Sequence, residues 1–216
     1  LLTDPGYPCY PKFVEAFEGT PTLIPVKEGD GFQFPLDRLE RALKQEARAV
    51  VLNSPSTPAG TLASQEQMLA LADLSAARAI ILSDEIYHGL VYKQRAHSIL
   101  EFTRESIVIN GFSKLFAMTG WRLGYAILPP ELVRPVQKLQ QNLFISAADF
   151  TQIAAITALT QAHSEVEEMR REYDRRRRLV LGRLAEMGLQ TPVEPTGAFY
   201  VLVNVSRFTD DVYNFA

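Results

Sequence analysis

The chain has 216 residues, 47% of them apolar and 22% charged, an ordinary globular balance with length for one domain and part of a second. Its net charge of −3 offers no basic field to nucleic acid or to an anionic membrane surface. The single cysteine, Cys9, excludes an internal disulfide and points to a reducing cytoplasm, and no apolar run reaches the ~18 residues that a membrane span needs.

The first residues, Leu1 to Pro5, read as the end of a strand, with no initiator Met and neither the basic nor the apolar region of a signal peptide. Residues 47–52 form a short apolar strand, stopped by a proline-rich turn at 53–60. Over 62–76 the apolar positions Met68, Leu69, Leu71, Ala72 and Ala76 mark one helical face, and Ser64 with Gln67 reads as its capping box. Strands follow at 79–82, 106–109 and 125–128, the last closed by Pro129 and Pro130. Apolar runs that alternate with amphipathic stretches predict βαβ units and a largely parallel sheet, its strands buried on both faces.

Helices are expected at 131–141 and 149–162. A long charged helix runs over 163–187, with Val166, Met169, Tyr173, Val180 and Leu184 at an approximate helical period. Its four consecutive arginines, 175–178, read as a solvated face beside acids, with a nucleic-acid surface as the alternative. After Gly188 the pattern turns β-like at 200–203, and the chain stops at 214–216 in what reads as a helix start. The predicted organisation is a large domain over 1–162, a connecting helix over 163–187, and the start of a small domain over 188–216. Material is expected beyond both ends.

Three segments carry chemistry, each just past the end of a predicted strand, where open α/β sheets place ligands. In the first, Lys114 follows Ser113, and Arg122 comes eight residues later between Gly120 and Gly124. A lysine forms a Schiff base only when its amine is deprotonated, which desolvation or a nearby cation achieves. Arg122 can be that cation while gripping a phosphate through two parallel hydrogen bonds. In the second, Asp84 and Tyr87 lie in the run Ser83-Asp84-Glu85-Ile86-Tyr87, and a carboxylate at a buried strand end requires a partner. The third, at 53–60, alone reads as a turn. The three histidines, His88, His97 and His163, lack metal-ligand spacing, so no metal site is expected.

The stretch from Ser113 to Gly124 resembles the class I/II aminotransferases, pyridoxal-phosphate (PLP) enzymes of fold type I, and the likeness runs through nearly all of the chain in order. That resemblance implies an α/β large domain, a mixed and mostly parallel sheet flanked by helices, followed by a small α+β domain. It makes Lys114 the Schiff-base and proton-shuttle lysine, with Ser113 and Arg122 on the cofactor phosphate. Asp84 would pair with the protonated ring nitrogen, Tyr87 with the phenolic oxygen, and Tyr7 would stack on the ring. Thr57 stands where the family's Asn-Pro-Thr-Gly turn has its asparagine, and Gly111 where the family often has a second serine. Pro195 to Tyr200 resembles the strand that opens the small domain, its glycine and aromatic residue near the substrate mouth.

The resemblance further implies transfer of an amino group between an L-amino acid and a 2-oxo acid, in a cytoplasmic homodimer. The family's glycine-rich phosphate loop would precede Leu1 and its substrate-carboxylate arginine would follow Ala216, so the 216 residues alone are expected to transaminate poorly. A C–S β-lyase on the same scaffold and the aminotransferase-like domain of a transcription regulator are the alternative readings.

Overall fold

A computed structural model describes residues 1–45 and 47–215. The first elements are β1 (Leu2–Asp4), α1 (Cys9–Ala16), β2 (Leu23–Pro25) and α2 (Leu36–Leu43). Strands β1 and β2 pair in parallel, and the Val51 N–H donates to the Leu1 carbonyl at 3.0 Å, which sets β1 beside the main sheet. That sheet has four strands in sequence order: β3 (Ala49–Asn53), β4 (Ile80–Asp84), β5 (Ser106–Gly111) and β6 (Gly124–Ile127). β3, β4 and β5 run parallel and β6 returns antiparallel, the mixed, mostly parallel sheet expected.

Between β3 and β4, helix α3 (Gln65–Ser75) makes the crossover that parallel pairing demands. The capping box reads as predicted: Ser64 Oγ accepts the Gln67 N–H at 3.2 Å, and Gln67 Oε1 accepts the Ser64 N–H at 3.0 Å. Leu39 and Leu43 of α2, Met68 and Leu71 of α3, and Val50, Ile81 and Val108 of the sheet form one buried cluster with Ile99. Each such side chain contributes about 1.5–3 kcal/mol by leaving water.

Burial on both faces does not hold for all strands. β3 and β4 alternate between buried and partly exposed positions. All four residues of β6 are exposed, although the Tyr125 ring meets that of Phe112 edge-on at 5.9 Å. The later helices are α4 (Pro130–Phe144), α5 (Asp149–Gln161), α6 (His163–Glu186) and α7 (Val212–Phe215), close to the predicted spans; Ala216 lies outside the described residues. Residues 200–203 form no strand. They have no partner strand among the described residues, and the pairings nearby are two isolated antiparallel bridges, Val91 with Gly197 and Gln190 with Asn204. No described helix is long and apolar enough to cross a membrane.

The segment after α6 folds back onto the sheet's C-terminal edge. Thr196 and Gly197 both donate their N–H to the Gly60 carbonyl at 2.9 Å, and Ala198 N–H donates to the Leu90 carbonyl at 2.9 Å. Gly60 has φ +67°, and a Cβ there would lie 2.7 Å from Pro195 Cβ and 2.9 Å from the Gly197 carbonyl oxygen. Gly60→Ala therefore meets both a disfavoured backbone and a crowded one, an expected loss of about 2–3 kcal/mol. Thermal unfolding should show a midpoint lowered by roughly 4–12 °C for a chain of this size; an unchanged midpoint would contradict the close packing of this turn.

Candidate active site

Because β3, β4 and β5 are parallel, the loops that leave their C-terminal ends converge on one edge of the sheet. From β3, Asn53 ends the strand and holds the following turn: its Oδ1 accepts the Thr57 N–H at 2.7 Å. Its Nδ2 donates to the Asp84 carbonyl at 3.1 Å. The turn after β3 is thereby tied to the end of β4, and it presents a half-buried Thr57 near enough to Tyr87 to pull its phenol down.

Asp84 closes β4. Its Oδ2 accepts from the Tyr10 hydroxyl at 2.6 Å and its Oδ1 from the Ile86 N–H at 3.0 Å. Burial pushes the Asp84 carboxyl above its ordinary value, while these two hydrogen bonds pull it back down. The same burial, together with the Asp84 charge, pushes the Tyr10 phenol far up. Tyr10 carries no motif in the sequence. Its one signal is its place on the first turn of α1, three residues from Tyr7, with which it makes an edge-on ring contact at 5.2 Å. Tyr7 itself is 40% exposed; the neighbouring Cys9 thiol raises its phenol most, and Tyr200 and Asp84 add smaller effects.

Beside Asp84, the buried Glu85 turns the other way. It accepts from Ser83 Oγ at 2.9 Å, Ser98 Oγ at 3.0 Å and the Ile99 N–H at 3.0 Å, and His88 Nδ1 stands 3.3 Å from its other oxygen. These partners anchor the loop after β4 and turn Glu85 away from Asp84 and Lys114.

Tyr87 is buried, at 3% exposure, and its hydroxyl lies 2.8 Å from that of Tyr200. Desolvation first, then this hydrogen bond, raise the Tyr87 phenol strongly. From the loop after β5, Lys114 Nζ sits 5.8 Å from the Tyr87 ring centroid and 5.7 Å from that of Phe199, in a niche of aromatic walls. No carboxylate among the described residues makes an ion pair with it. Ser113 and Arg122 are joined through Thr119: the Thr119 hydroxyl donates to the Ser113 carbonyl at 2.8 Å, and Arg122 Nη1 donates to the Thr119 carbonyl at 2.9 Å. Arg122 is exposed, with left-handed backbone at φ 55°.

The glycine at 111 has a physical reason. Gly111 pairs with Gly124 across β5 and β6, and a Cβ at 111 would lie 3.1 Å from both Gly124 Cα and the Leu123 carbonyl oxygen. A serine there would crowd the backbone of the facing strand.

Tyr7, Thr57, Asp84, Tyr87 and Lys114 thus lie along one edge of the sheet, linked by pairwise contacts, with Ser113 and Arg122 on the adjoining turn. Tyr10, Phe199 and Tyr200 complete this cluster.

The comparisons agree with this architecture. The family described as aminotransferase class I and II matches residues 1–211. A (5-formylfuran-3-yl)methyl phosphate transaminase of Methanocaldococcus jannaschii is 40% identical over 96% of this chain and 54% of its own length. An aspartate aminotransferase of Pyrococcus abyssi is 37% identical over 95% of this chain and 54% of its own length. Among solved structures, Thermus thermophilus aspartate aminotransferase with maleate superposes with a TM-score of 0.93 at 34% identity, covering 97% of this chain and 56% of that one. The chain therefore spans about half the length of the curated relatives it matches. With the family match running through almost every residue and the fold agreeing, the chain belongs to the class I and II aminotransferases.

Proposed function

We propose that this chain is the catalytic part of a pyridoxal-phosphate-dependent aminotransferase that passes an amino group between an L-amino acid and a 2-oxo acid. The observation that carries the reading is the Lys114 amine among the Tyr87 and Phe199 rings, on the same sheet edge as a carboxylate whose burial calls for a cationic partner.

The residues present suit the cofactor chemically. Asp84 offers a fixed anion for a protonated ring nitrogen, and Tyr87 a hydroxyl for a phenolic oxygen. Thr57 offers a further hydroxyl donor on that edge, and Tyr7 an aromatic face for the ring. Arg122 and Ser113 are a guanidinium and a hydroxyl of the kind that hold phosphate. When bound, pyridoxal phosphate supplies an aldehyde that condenses with amines and a cationic ring that draws electrons from the substrate's Cα.

The chain's own residues do the rest. Held beside the Tyr87 and Phe199 rings, the Lys114 amine is placed to attack once it has given up its proton, and to carry a proton at Nζ. Tyr10 and the Ile86 N–H hold Asp84 in one orientation, so that its charge is aimed before any ligand arrives.

On this reading residues 1–162 are the large domain, 163–187 the connecting helix and 188–216 the start of a small domain. A homodimer in the cytoplasm completes the proposal. Exposed Leu139 and Leu143 on α4, and Phe150, Ile153 and Ile156 on α5, offer apolar surface that a second copy would cover; the lone cysteine suits a reducing compartment.

The test is an absorbance spectrum of the purified protein with pyridoxal phosphate, titrated with a panel of amino acids. A visible lysine-linked band that one donor discharges, with the matching 2-oxo acid as product, is the expected result. Release of pyruvate and ammonia would make the protein a lyase, and no band would overturn the reading.

A further inference from the structure

Three of the four consecutive arginines lie on the exposed face of α6, as the sequence leads one to expect, but Arg177 does not. It is 8% exposed. Its Nε and Nη2 donate to Asp174 Oδ1 at 2.9 and 2.8 Å, one turn back on the same helix. Its Nη1 donates to Glu194 Oε1 at 2.7 Å and to the Pro195 carbonyl at 3.2 Å. Its guanidinium carbon stands 5.3 Å from the centroid of the Tyr92 ring. Tyr92 in turn is laced to the same segment: its N–H donates to the Thr196 carbonyl at 3.0 Å and its hydroxyl to the Ala198 carbonyl. Apart from Asp174, every partner of the guanidinium belongs to residues 194–195 or to the tyrosine bonded to 196 and 198.

That segment ends beside Lys114 and Tyr87. Phe199 stacks on Tyr173, one turn before Arg177 on α6, at 5.6 Å and 26°. Phe199 and Tyr200 are the rings that meet Tyr87 edge-on, at 5.1 and 5.6 Å. A buried ion pair adds little net stability over an apolar substitute of equal volume. A planar fork shared among two carboxylates and a carbonyl does fix position, and an ammonium cannot reproduce it. We propose that Arg177 is a positioning residue of the Lys114 site, clamping residues 194–198 to α6 so that Phe199 and Tyr200 stand against Lys114 and Tyr87.

The inference rests on the cofactor reading for its spectroscopic arm, and the test uses the pyridoxal-phosphate-loaded protein. Arg177→Met, Arg177→Lys and Glu194→Gln are compared with the unaltered protein. The measurements are visible circular dichroism of the bound cofactor, kcat and KM for one amino donor, and amide exchange at Thr196, Gly197 and Ala198. Arg177→Met is expected to speed exchange at those amides and to weaken the visible dichroism. It should also lower kcat/KM about tenfold, as small displacements around a reacting group do. Arg177→Lys should not rescue these losses, and Glu194→Gln should show a milder form of them.

A folded Arg177→Met protein with unchanged dichroism and unchanged kcat and KM overturns the proposal, and so does full rescue by lysine. If Arg177→Met does not fold, Glu194→Gln decides alone. Its side chain is 47% exposed, so the substitution leaves the core intact, and an unchanged dichroism there is equally fatal. Should the unaltered protein show no cofactor band, the functional reading fails instead; exchange at 196–198 then still upholds the clamp if it quickens and overturns it if it does not.

Discussion

Lys114→Ala is expected to remove the visible cofactor band and to cut turnover by about 10⁴-fold or more, since both the covalent step and the proton transfer at Nζ are lost together. The fold should survive. Lys114 lies in a loop beyond β5, makes no ion pair among the described residues, and sets its Nζ near the Tyr87 and Phe199 rings. Truncation loses about 1 kcal/mol of aromatic contact to the cation, a small share of a domain's stability. A second variant separates charge from nucleophilicity. Lys114→Arg keeps a cation in the aromatic niche but never deprotonates in a protein, so it should be as inactive as the alanine form. Absorbance and single-turnover measurements on both check the prediction. A band retained by Lys114→Ala would sink the reading of this site, and activity retained by Lys114→Arg would mean that charge alone is what the site requires.

Lys114 and Asp84 are legible in the sequence because each lies within a few residues of a strand end, so local text carries both the element and the chemical group. Ser113, Arg122 and Tyr87 come with those same segments, and Thr57 with the turn past β3. Tyr10 is different: it meets Asp84 across 74 residues, through the packing of α1 against the sheet edge, and no periodicity reports such a meeting. Arg177 is hidden for a related reason. In a row of like residues on a charged helix, helical phase decides which one turns inward. The segment at 194–195 decides whether that one finds acceptors.

Gly111 reads as a departure from a pattern until the register of β5 on β6 sets Gly124 opposite. The exposure of β6 is equally illegible, since its apolar residues state what the strand can bury and not what lies beside it. Helices and parallel strands follow from local periodicity; contacts between elements distant in the chain do not.

Asp84→Asn separates the two things a buried carboxylate does. The amide oxygen can still accept from the Ile86 N–H, and the side chain keeps its volume, so packing at the end of β4 is preserved. What vanishes is the negative charge. Turnover is expected to fall by about 10²–10³-fold, the usual consequence of removing one preorganised electrostatic partner from a reaction centre, with the visible band retained because Lys114 is untouched.

Stability should move the other way. Burial, the largest effect, raises the Asp84 carboxyl above its unfolded value, so the folded cofactor-free protein holds this proton at a higher pH than the unfolded chain does. Its contribution is full below the unfolded value and is lost as pH rises through the raised folded value. The cofactor-free protein should therefore lose stability as pH climbs from the ordinary carboxylate range through that raised value, and Asp84→Asn should flatten that part of the profile. A cationic ring nitrogen beside Asp84 stabilises the charged form, so loading with pyridoxal phosphate should flatten it too. Thermal midpoints of the two proteins against pH, with and without cofactor, test the whole chain of reasoning. A slope that persists in Asp84→Asn, or that cofactor leaves unaltered, would mean that another group titrates there and that Asp84 does not face the bound ring.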